Sequence, residues 1–422
     1  MQEIHLICAA DIHLGRHVGR SGEKSFVIHT WERLIETCLT TTPKIDALLL
    51  AGDILDSNGL FIEMSGLIKK GIRRLIERGI EVIAIAGNHD AKILERIHAS
   101  MNLPGFSLLG SKGEWERRTC TFGNRVLHID GLSFTSSFMQ ENPFSHYKLE
   151  NVSDEEILIG LLHCDWEVSG SKYAPVRKSD FLSGSHRAWF LGHVHIPREL
   201  SQKPLIRYCG SLQGLDKSES GSRGALHITI DSGGNIASKE IPLAYLYWDK
   251  LEIDVTDLQS DDWESELLEK TDSVIAGKIL GSEHLIEEIG LHLIFTGRTK
   301  FFRELRRNIG KFFAREGAAI VVQEHRIPYF IESIDNQTRP AYDIERLKEG
   351  NDPVAILAKK LCEYKENPLL PEYLQEYMET EFRNDSSFRQ CESAFPSKEE
   401  YCELFLSRGY ELLDELLAQK QM

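Results

Sequence analysis

The chain has 422 residues, and its 65 Asp and Glu against 49 Lys and Arg give a formal net charge of −16. Hydrophobic residues make up 41% and charged residues 27%, values that exclude a largely disordered chain. No apolar run approaches the roughly 18 residues needed to cross a bilayer, so we expect no membrane-spanning segment and no membrane partner. At roughly 150 residues per domain, the length indicates two or three domains.

Two features indicate a cytoplasmic protein. The N-terminus has no basic start before its few apolar residues, so we expect no secretion signal. The eight cysteines are scattered without a CxxC pair, which is typical of free thiols in a reducing compartment.

The first 230 or so residues alternate short β-branched runs with glycine and asparagine turns, a pattern that predicts strands. Apolar residues at helical spacing separate the early strands at 26–39 and 64–76. Strand and helix in alternation, followed mostly by strands, predict an α/β layered domain. The predicted strands are 3–9, 47–51, 82–86, 125–129, 157–162, 188–191, 204–208 and 224–230.

A second unit is expected after the predicted hairpin turn at 231–235. Its predicted strands are 250–255, 291–296 and 318–323, and its predicted helices are 263–279 and 300–314, which together describe a small α+β module. From 336 onward the chain becomes acidic and helical, with amphipathic stretches at 354–364, 374–382 and 398–417 and a polar joint at 383–397. We therefore expect three parts, at 1–245, 246–335 and 336–422.

Side chains that bind metal ions collect where the predicted strands end. Thirteen of the 16 histidines lie in residues 1–240, several of them in short motifs directly after apolar runs. Because such strand ends lie along one edge of a sheet, the loops there can form a common site. Seven side chains in these motifs can bind metal: Asp11, His13, Asp53, Asn88, His163, His193 and His195.

This set of ligands suits two ions. Seven ligands exceed what one ion takes from protein while keeping an open position, and Asp53 is the natural bridge between two. The absence of a thiolate argues against a structural zinc site and favours harder ions, Mn²⁺ first and iron second. Two divalent ions and two aspartates leave an excess charge of about +2, which would acidify a bridging water and attract a phosphate. We therefore expect hydroxide attack on a phosphoester.

Each motif alone has a plainer interpretation. A GD pair after an apolar strand is usually a turn, and a single DIH motif or strand-end histidine is little more informative. The motifs GNHD at 87–90 and GHVH at 192–195 are more specific, because glycine allows tight turns that direct the following side chains inward. Their joint occurrence, each after a predicted strand, favours the metal site.

The order D-x-H, GD, GNHD, H and GHxH over residues 1–230 resembles the calcineurin-like metallophosphoesterase superfamily. Within it, the segments DIHLG, GDILD and YCGS at 208–211 resemble the SbcD-type DNA-repair exonucleases, and LIFTGRT at 293–299 is similar to their YhaO-like branch. One departure is that segment 212–219 lacks the aromatic residue that the related sequences usually carry before an acidic residue.

The resemblance implies a four-layer αββα sandwich, with a capping α+β domain and a helical C-terminal region beyond it. It also implies two ligand sets that share one carboxylate: Asp11, His13, Asp53 and His195 for one ion, and Asp53, Asn88, His163 and His193 for the other.

The same resemblance places His89 over the leaving-group oxygen. The residue adjoins a ligand without being needed as one, and a protonated imidazole can donate to a departing alkoxide. Asp90 is expected to orient or charge that imidazole, and Asp56 to hydrogen-bond behind the ligands. A plain turn or cap role is the alternative for both aspartates.

Segment 298–315 is strongly basic, with Glu304 as its single acid. Its bases are Arg298, Lys300, Arg303, Arg306, Arg307, Lys311 and Arg315. Apolar residues can line the opposite helical face: Phe302, Leu305, Ile309, Phe312 and Phe313. A basic face of this kind is typical of phosphate-binding surfaces, although a solvated helix packed on its own strands is the alternative. The DNA contacts we expect come from Arg298, Lys300, Arg303 and Arg307.

The segment 398–417 carries apolar residues at helical spacing but is too short to bury them alone. These residues are Tyr401, Leu404, Phe405, Tyr410, Leu412, Leu413, Leu416 and Leu417. The resemblance implies an SMC-like coiled-coil ATPase partner, to which such a helix could dock. Packing on the catalytic domain is the alternative. A homodimer is likewise implied by the resemblance.

Together these features predict a two-metal phosphodiesterase that cuts DNA as an exonuclease, with endonuclease activity also open, in double-strand-break repair or recombination. A small-molecule phosphoesterase of the same superfamily is one alternative, since one metal core serves many substrates. A scaffold that kept the sandwich and lost catalysis is another.

Overall fold

A computed structural model describes residues 3–19, 26–56, 61–150, 152–153, 156–182, 184–258, 262–280, 285–313, 318–366, 380 and 398–420. The chain forms two compact units. The first comprises Met1–Leu251, Asp272–Leu293 and Arg315–Ser333, and the second comprises Glu252–Thr271, Ile294–Ala314 and Ile334–Met422. The division into three parts at 245 and 335 stays a prediction.

The strands in chain order are β1 Ile4–Ala9, β2 Ala47–Ala51, β3 Glu81–Ile85, β4 Phe106–Leu108, β5 Glu116–Phe122, β6 Arg125–Leu132, β7 Ile157–His163, β8 Asp165–Trp166, β9 Pro175–Val176, β10 Ala188–Gly192, β11 Arg198–Gln202, β12 Leu205–Tyr208, β13 Gly224–Ile230, β14 Ile236–Pro242, β15 Leu246–Asp254, β16 Glu288–Thr296, β17 Arg298–Thr299, β18 Ala319–Val322, β19 His325–Asn336 and β20 Arg339–Pro340. The described helices are α1 Phe26–Thr40, α2 Phe61–Glu77, α3 Ala91–Met101, α4 Trp263–Ile279, α5 Phe302–Phe313, α6 Ile344–Lys348, α7 Pro353–Glu366 and α8 Lys398–Lys420.

Two six-stranded sheets face each other in the first unit. The first sheet has the order β14-β13-β1-β2-β3-β4, in which β1 to β4 run parallel and β13 and β14 are antiparallel additions. The second sheet has the order β11-β12-β10-β7-β6-β5, with a parallel centre from β12 to β6. Parallel strands are buried on both faces, so their sequences are nearly continuous apolar runs, which explains why seven of the eight predicted strands are found. The eighth, β13, is antiparallel and is also found.

The two sheets enclose one apolar core and carry another on each outer face. Leu6 and Leu49 of the first sheet and Ile159 and Phe190 of the second fill the space between the sheets. The helices α1, α2 and α3 cover the outer face of the first sheet. Two short 3-10 helices, Pro143–His146 and Lys178–Leu182, and their loops cover the outer face of the second sheet. This arrangement is the α/β sandwich expected from the sequence.

Several elements of this unit were not predicted, and two of them, β5 and α3, show how local pattern hides an element. The strand β5 is an edge strand in which Cys120 is the single buried residue, and it pairs antiparallel with β6 across a tight turn. The helix α3 follows directly on the GNHD motif and buries Leu94, Ile97 and Met101. A further sheet has the order β15-β16-β19-β18, and most of its residues belong to the first unit.

The second unit contains an antiparallel pair of helices. Val354, Ala358 and Leu361 of α7 pack with Leu413 and Leu417 of α8. The C-terminal apolar stripe is therefore covered in part by α7, whereas Leu404 and Leu412 remain 37% and 48% exposed. Apart from residue 380, the described residues do not include the predicted stretch 374–382 or the joint 383–397. They also do not include the side chains of 312, 313, 315 and 401.

Among the residues that the structure describes, no helix combines the length and the apolar character that a membrane span requires.

A buried carboxylate in β6 binds side chains of β5 and of the loops that cover the second sheet. Asp130 of β6 is fully buried and accepts two hydrogen bonds from Arg117 of β5, at 2.6 and 2.8 Å. Its Oδ2 atom also accepts the Tyr147 hydroxyl at 2.7 Å and lies 3.1 Å from Nε2 of His186. Burial opposes ionisation of Asp130, but the hydrogen bonds from Arg117 outweigh it and hold the pKa of that carboxyl below its ordinary value.

Replacing Asp130 by asparagine should lower the free energy of unfolding by about 3 kcal/mol, because the largely buried Arg117 would lose its counter-charge. Since the folded pKa of Asp130 is lowered, this stabilisation is present above about pH 4 and is lost as the pH falls through the folded pKa. The variant and the parental protein should therefore converge in acid. Urea unfolding at neutral and at acidic pH, followed by tryptophan fluorescence, measures the difference.

The matched control for this substitution is Glu141→Gln, which changes a carboxylate that is 81% exposed. Equal stability of the D130N and parental proteins at neutral pH would contradict the assigned role of Asp130.

Candidate metal centre

Six of the seven predicted ligands lie on loops that follow strands of the two sheets, and the seventh, His163, is the last residue of β7. Loops after β1, β2 and β3 leave the carboxyl edge of the first sheet, and loops after β7 and β10 leave the same edge of the second. The edges meet, since Asp11 and Asp53 of one sheet contact His193 and His163 of the other. The strand ends therefore form a common site, as parallel sheets allow.

The backbone at this edge is held in uncommon conformations. Asp11, His13 and Asp53 all have positive φ angles, of 49°, 51° and 50°. The N–H groups of Ile12 and His13 donate to the carbonyl oxygen of Asp53 at 2.8 and 3.0 Å, and the Asp11 N–H donates to Gly52 at 3.1 Å. Left-handed backbone persists at non-glycine residues only where surrounding bonds enforce it, and such strain collects at functional sites.

The motif glycines permit close approach of neighbouring groups. A Cβ atom on Gly87 would lie 2.2 Å from Oδ1 of Asp53, and one on Gly192 would lie 2.1 Å from the carbonyl oxygen of Ala51. Neither glycine has a positive φ, so these glycines are not needed for the backbone of a tight turn. They are needed because a larger side chain would collide with neighbouring atoms. Gly52, with a φ of 92°, does use glycine's conformational freedom.

Asp11, His13 and His195 form one group whose ligand atoms lie within 4.8 Å of one another. The Nε2 atoms of His13 and His195 face each other at 3.3 Å. Asp11 and His13 are almost completely buried. Two imidazole nitrogens and a carboxylate that converge in this way fit a shared cation.

Asp11, Asp53 and His163 form a second such group. The Nε2 atom of His163 lies 3.2 Å from Oδ2 of Asp53 and 3.1 Å from the side-chain oxygen of Asn88. Its Nδ1 atom lies 3.1 Å from the carbonyl oxygen of Ala51, which is the contact that fixes the tautomer leaving Nε2 free for a metal.

Asp53 lies close to residues of both predicted ligand sets. Its Oδ2 atom is 3.2 Å from Nε2 of His163 and 3.9 Å from Nε2 of His13. Its Oδ1 atom accepts the backbone N–H of His89 at 2.9 Å, so the carboxylate cannot rotate freely. A third group, formed by His13, Asp53 and His89, also lies within 4.8 Å.

His193 is placed differently from the other predicted ligands. Its ring lies 5.2 Å from that of His163, but its Nε2 atom is 3.2 Å from Oδ1 of Asp165. Its backbone N–H donates to the carboxylate of Asp11 at 3.0 Å. No group within 4.8 Å among the described residues includes it, and its role as a ligand stays a prediction.

Opposite charges interact strongly inside this site. Burial would lower the pKa of His163, but the neighbouring Asp53 carboxylate outweighs it and raises that pKa to about 9. Burial would likewise raise the pKa of Asp53, and His163 instead holds it well below its usual range. Binding of a cation to this pair therefore displaces a proton.

Asp90 supports the loops more than it supports the imidazole beside it. It is fully buried, and its oxygens accept the N–H groups of Gly87 at 2.8 Å and of Ile54 at 2.7 Å. Burial raises its pKa to about 7, with the nearby Asp53 charge adding to the effect. These contacts favour the turn alternative for Asp90. Oδ2 of Asp56 lies 3.7 Å from Nδ1 of His13, and the role of Asp56 behind the ligands stays a prediction.

Two acidic residues beside the site were not singled out from the sequence. Glu219 contacts Nδ1 of His195 at 2.7 Å, and Asp165 contacts His193. Neither stands in a motif with fixed spacing, and the only signal for Glu219 is its place as the acid that ends segment 212–219.

The four predicted DNA contacts lie in the second unit and have different surroundings. The guanidinium of Arg298 makes two hydrogen bonds to Asp414, at 2.7 and 3.1 Å, and lies over the Tyr342 ring. Arg303 and Arg307 are exposed on α5, and Lys300 is exposed before it. The structure therefore places Arg303 and Arg307 on one basic helix and commits Arg298 to an ion pair.

The donor set fits a pair of divalent cations. Imidazole nitrogens, carboxylate oxygens and one amide oxygen converge without a thiolate, and the groups within 4.8 Å share Asp11, His13 and Asp53 with one another. Such ligands suit manganese, iron or zinc better than they suit a structural thiolate site.

Comparison with known proteins agrees with this geometry. A family model of calcineurin-like phosphoesterases matches residues 4–197. The chain is 30% identical over 242 residues to the uncharacterized metallophosphoesterase YhaO of Bacillus subtilis. The aligned residues make up 56% of this chain and 57% of that protein. The chain therefore spans a little over half the length of this relative.

Two archaeal proteins named DNA double-strand break repair protein Mre11 are also similar. The Methanopyrus kandleri protein is 24% identical over 336 residues, 73% of this chain and 72% of the relative. The Aeropyrum pernix protein is 27% identical over 263 residues, 59% of this chain and 63% of the relative. With the strand-end motifs and the family match in agreement, residues 4–197 of this chain form a calcineurin-like metallophosphoesterase domain.

Proposed function

We propose that the chain is a two-metal phosphodiesterase that hydrolyses DNA from its ends, with Mn²⁺ as the working metal, in double-strand-break repair or recombination. The observation that carries this proposal is the position of Asp53, whose Oδ2 atom lies 3.2 Å from Nε2 of His163 and 3.9 Å from Nε2 of His13. Two bound divalent ions would supply positive charge for the phosphate and lower the pKa of an attacking water.

The residues of the chain hold and orient the reacting groups. Asp11, His13, Asp53 and His195 would hold one ion, and Asp53, Asn88, His163 and His193 would hold the other. Asp11 and Asp53 bring only two negative charges to the two ions, so the site keeps a positive excess that attracts a phosphodiester.

His89 is the proposed proton donor. Its ring is half-buried and lies 4.9 Å from that of His13, while its backbone is tied to Asp53. It thus borders the metal pocket without serving in either predicted ligand set. From this place its imidazole can give a proton to the departing sugar oxygen.

DNA is the substrate that the remaining observations favour. Both archaeal relatives carry a name that refers to DNA double-strand break repair. The helix α5 buries Leu305 and Ile309 and exposes Arg303, Arg307 and Lys311, which leaves a basic face for phosphates. The SMC-like coiled-coil ATPase partner and the homodimer stay predictions, as does cytoplasmic localisation. Leu404 and Leu412 of α8 are exposed apolar residues available for such a partner.

The function is tested by incubating the protein and Mn²⁺ with end-labelled duplex and single-stranded DNA, in parallel with chromogenic phosphodiesters and monoesters. We expect DNA to be shortened from its ends, with rates that fall steeply as salt rises. If the small esters are hydrolysed and the DNA is not cut, the protein is a small-molecule phosphoesterase. Failure to bind Mn²⁺ or to cut any substrate would establish the scaffold alternative.

The variant His89→Ala should retain both metal ions and lose about 10²- to 10⁴-fold in kcat on DNA, because it removes the proton donor and no ligand. Steady-state rates and metal content by elemental analysis measure the two effects. His146→Ala is the matched control, since that imidazole is 67% exposed on a 3-10 helix. Cutting by H89A at the parental rate would show that another group donates the proton.

The double variant Arg303→Gln, Arg307→Gln should weaken DNA binding and reduce the salt dependence of binding by about two phosphate contacts. Hydrolysis of a chromogenic phosphodiester should be unchanged, because these side chains are not part of the metal centre. Lys359→Gln with Lys360→Gln on α7 is the charge-matched control. An unchanged salt slope in the double variant would exclude α5 as the DNA contact.

A further inference from the structure

Glu219 is held on three sides at the edge of the metal centre. The residue is only 5% exposed. Its Oε1 atom lies 2.7 Å from Nδ1 of His195. Its Oε2 atom accepts the Ser211 hydroxyl at 2.6 Å and the Leu215 N–H at 3.2 Å. Both carboxylate oxygens are therefore engaged, and the carboxylate has one fixed orientation.

The contact to Glu219 determines which nitrogen of His195 faces the ligands. An ionised carboxylate can accept hydrogen bonds but cannot donate them. The hydrogen atom between Glu219 and His195 is therefore on Nδ1 of His195, and Nε2 keeps its lone pair. That Nε2 atom lies 3.3 Å from Nε2 of His13, within the group that also contains Asp11. The tautomer and the direction of the His195 ring are thus both fixed by one neighbour.

The loop that carries Glu219 is itself anchored in the core. Gln213 is fully buried, and its side-chain oxygen accepts the Thr30 hydroxyl at 3.1 Å and the Tyr245 N–H at 3.0 Å. The indole N–H of Trp248 donates to the carbonyl oxygen of Gly214 at 3.1 Å. These bonds tie the loop to α1 and to the start of β15, so the position of Glu219 does not depend on solvent-exposed contacts.

We propose that Glu219 is a positioning residue that presents Nε2 of His195 to one ion of the proposed two-metal centre. The inference rests on the proposed function, because it needs a metal to be bound there. Histidine ligands in metal sites commonly donate their second nitrogen to a carboxylate, and removing that carboxylate usually weakens metal binding 10- to 100-fold.

The decisive experiment is calorimetric titration of Mn²⁺ into the metal-free full chain. The parental protein should bind two ions. Glu219→Gln should bind one ion about 10- to 100-fold more weakly and the other ion with unchanged affinity. Its kcat on a chromogenic phosphodiester should return toward the parental value as Mn²⁺ is raised, because occupancy rather than chemistry is lost.

Two further variants separate positioning from folding. Glu219→Gln also removes a charge that interacts with the buried guanidinium of Arg223, so thermal unfolding of the metal-free protein is measured alongside. Ser211→Ala keeps the charge of Glu219 and removes one of the hydrogen bonds that orient its carboxylate. This variant should weaken binding of the same ion by a smaller factor. Glu240→Gln, an exposed carboxylate paired with Arg207, is the control that should bind both ions normally.

Parental affinity of E219Q for both ions would overturn the inference, and so would a loss of metal-free stability with no selective loss of one ion. A parental protein that binds no Mn²⁺ would overturn both this inference and the proposed function. A parental protein that binds two ions but cuts no phosphodiester, together with selective weakening in E219Q, would support the inference and contradict only the proposed function.

Discussion

Asp53 is the residue on which the rest of the site depends. Its backbone carbonyl accepts the N–H groups of Ile12 and His13, so it sets the path of the loop after β1. One side-chain oxygen accepts the N–H of His89 after β3, and the other faces His163 at the end of β7. A single residue therefore joins loops from both sheets, and the ligand atoms converge because these loops cannot move apart independently.

This convergence is unfavourable by itself and persists only because the two sheets are rigid. Asp11, His13 and Asp53 hold left-handed backbone, and Asp90 is a carboxylate without solvent contact. Such features destabilise a fold locally, and they are retained where they preorganise chemistry. The apolar cores on both faces of each sheet provide the compensating stability.

The positions of the candidate ligands could be read from the sequence because polar residues stand out directly after apolar strands. Asp11, Asp53 and His163 each follow a run that can only be a buried strand, and parallel topology then brings the strand ends together. Glu219 and Asp165 were not predictable in the same way, since their contacts depend on the path of irregular loops. The role of Gly87 was also beyond local pattern, because the Asp53 side chain that it accommodates is distant in sequence.

The basic segment shows the same distinction between periodicity and partners. Helical spacing correctly predicts that Leu305 and Ile309 are buried and that Arg303 and Arg307 are exposed on α5. It does not reveal that Arg298 is engaged by Asp414, a residue on α8 more than a hundred positions later. An arginine in a bidentate pair must lose that partner before it can bind a phosphate, whereas an exposed one exchanges only water and counterions. Phosphate affinity in this segment should therefore reside on α5.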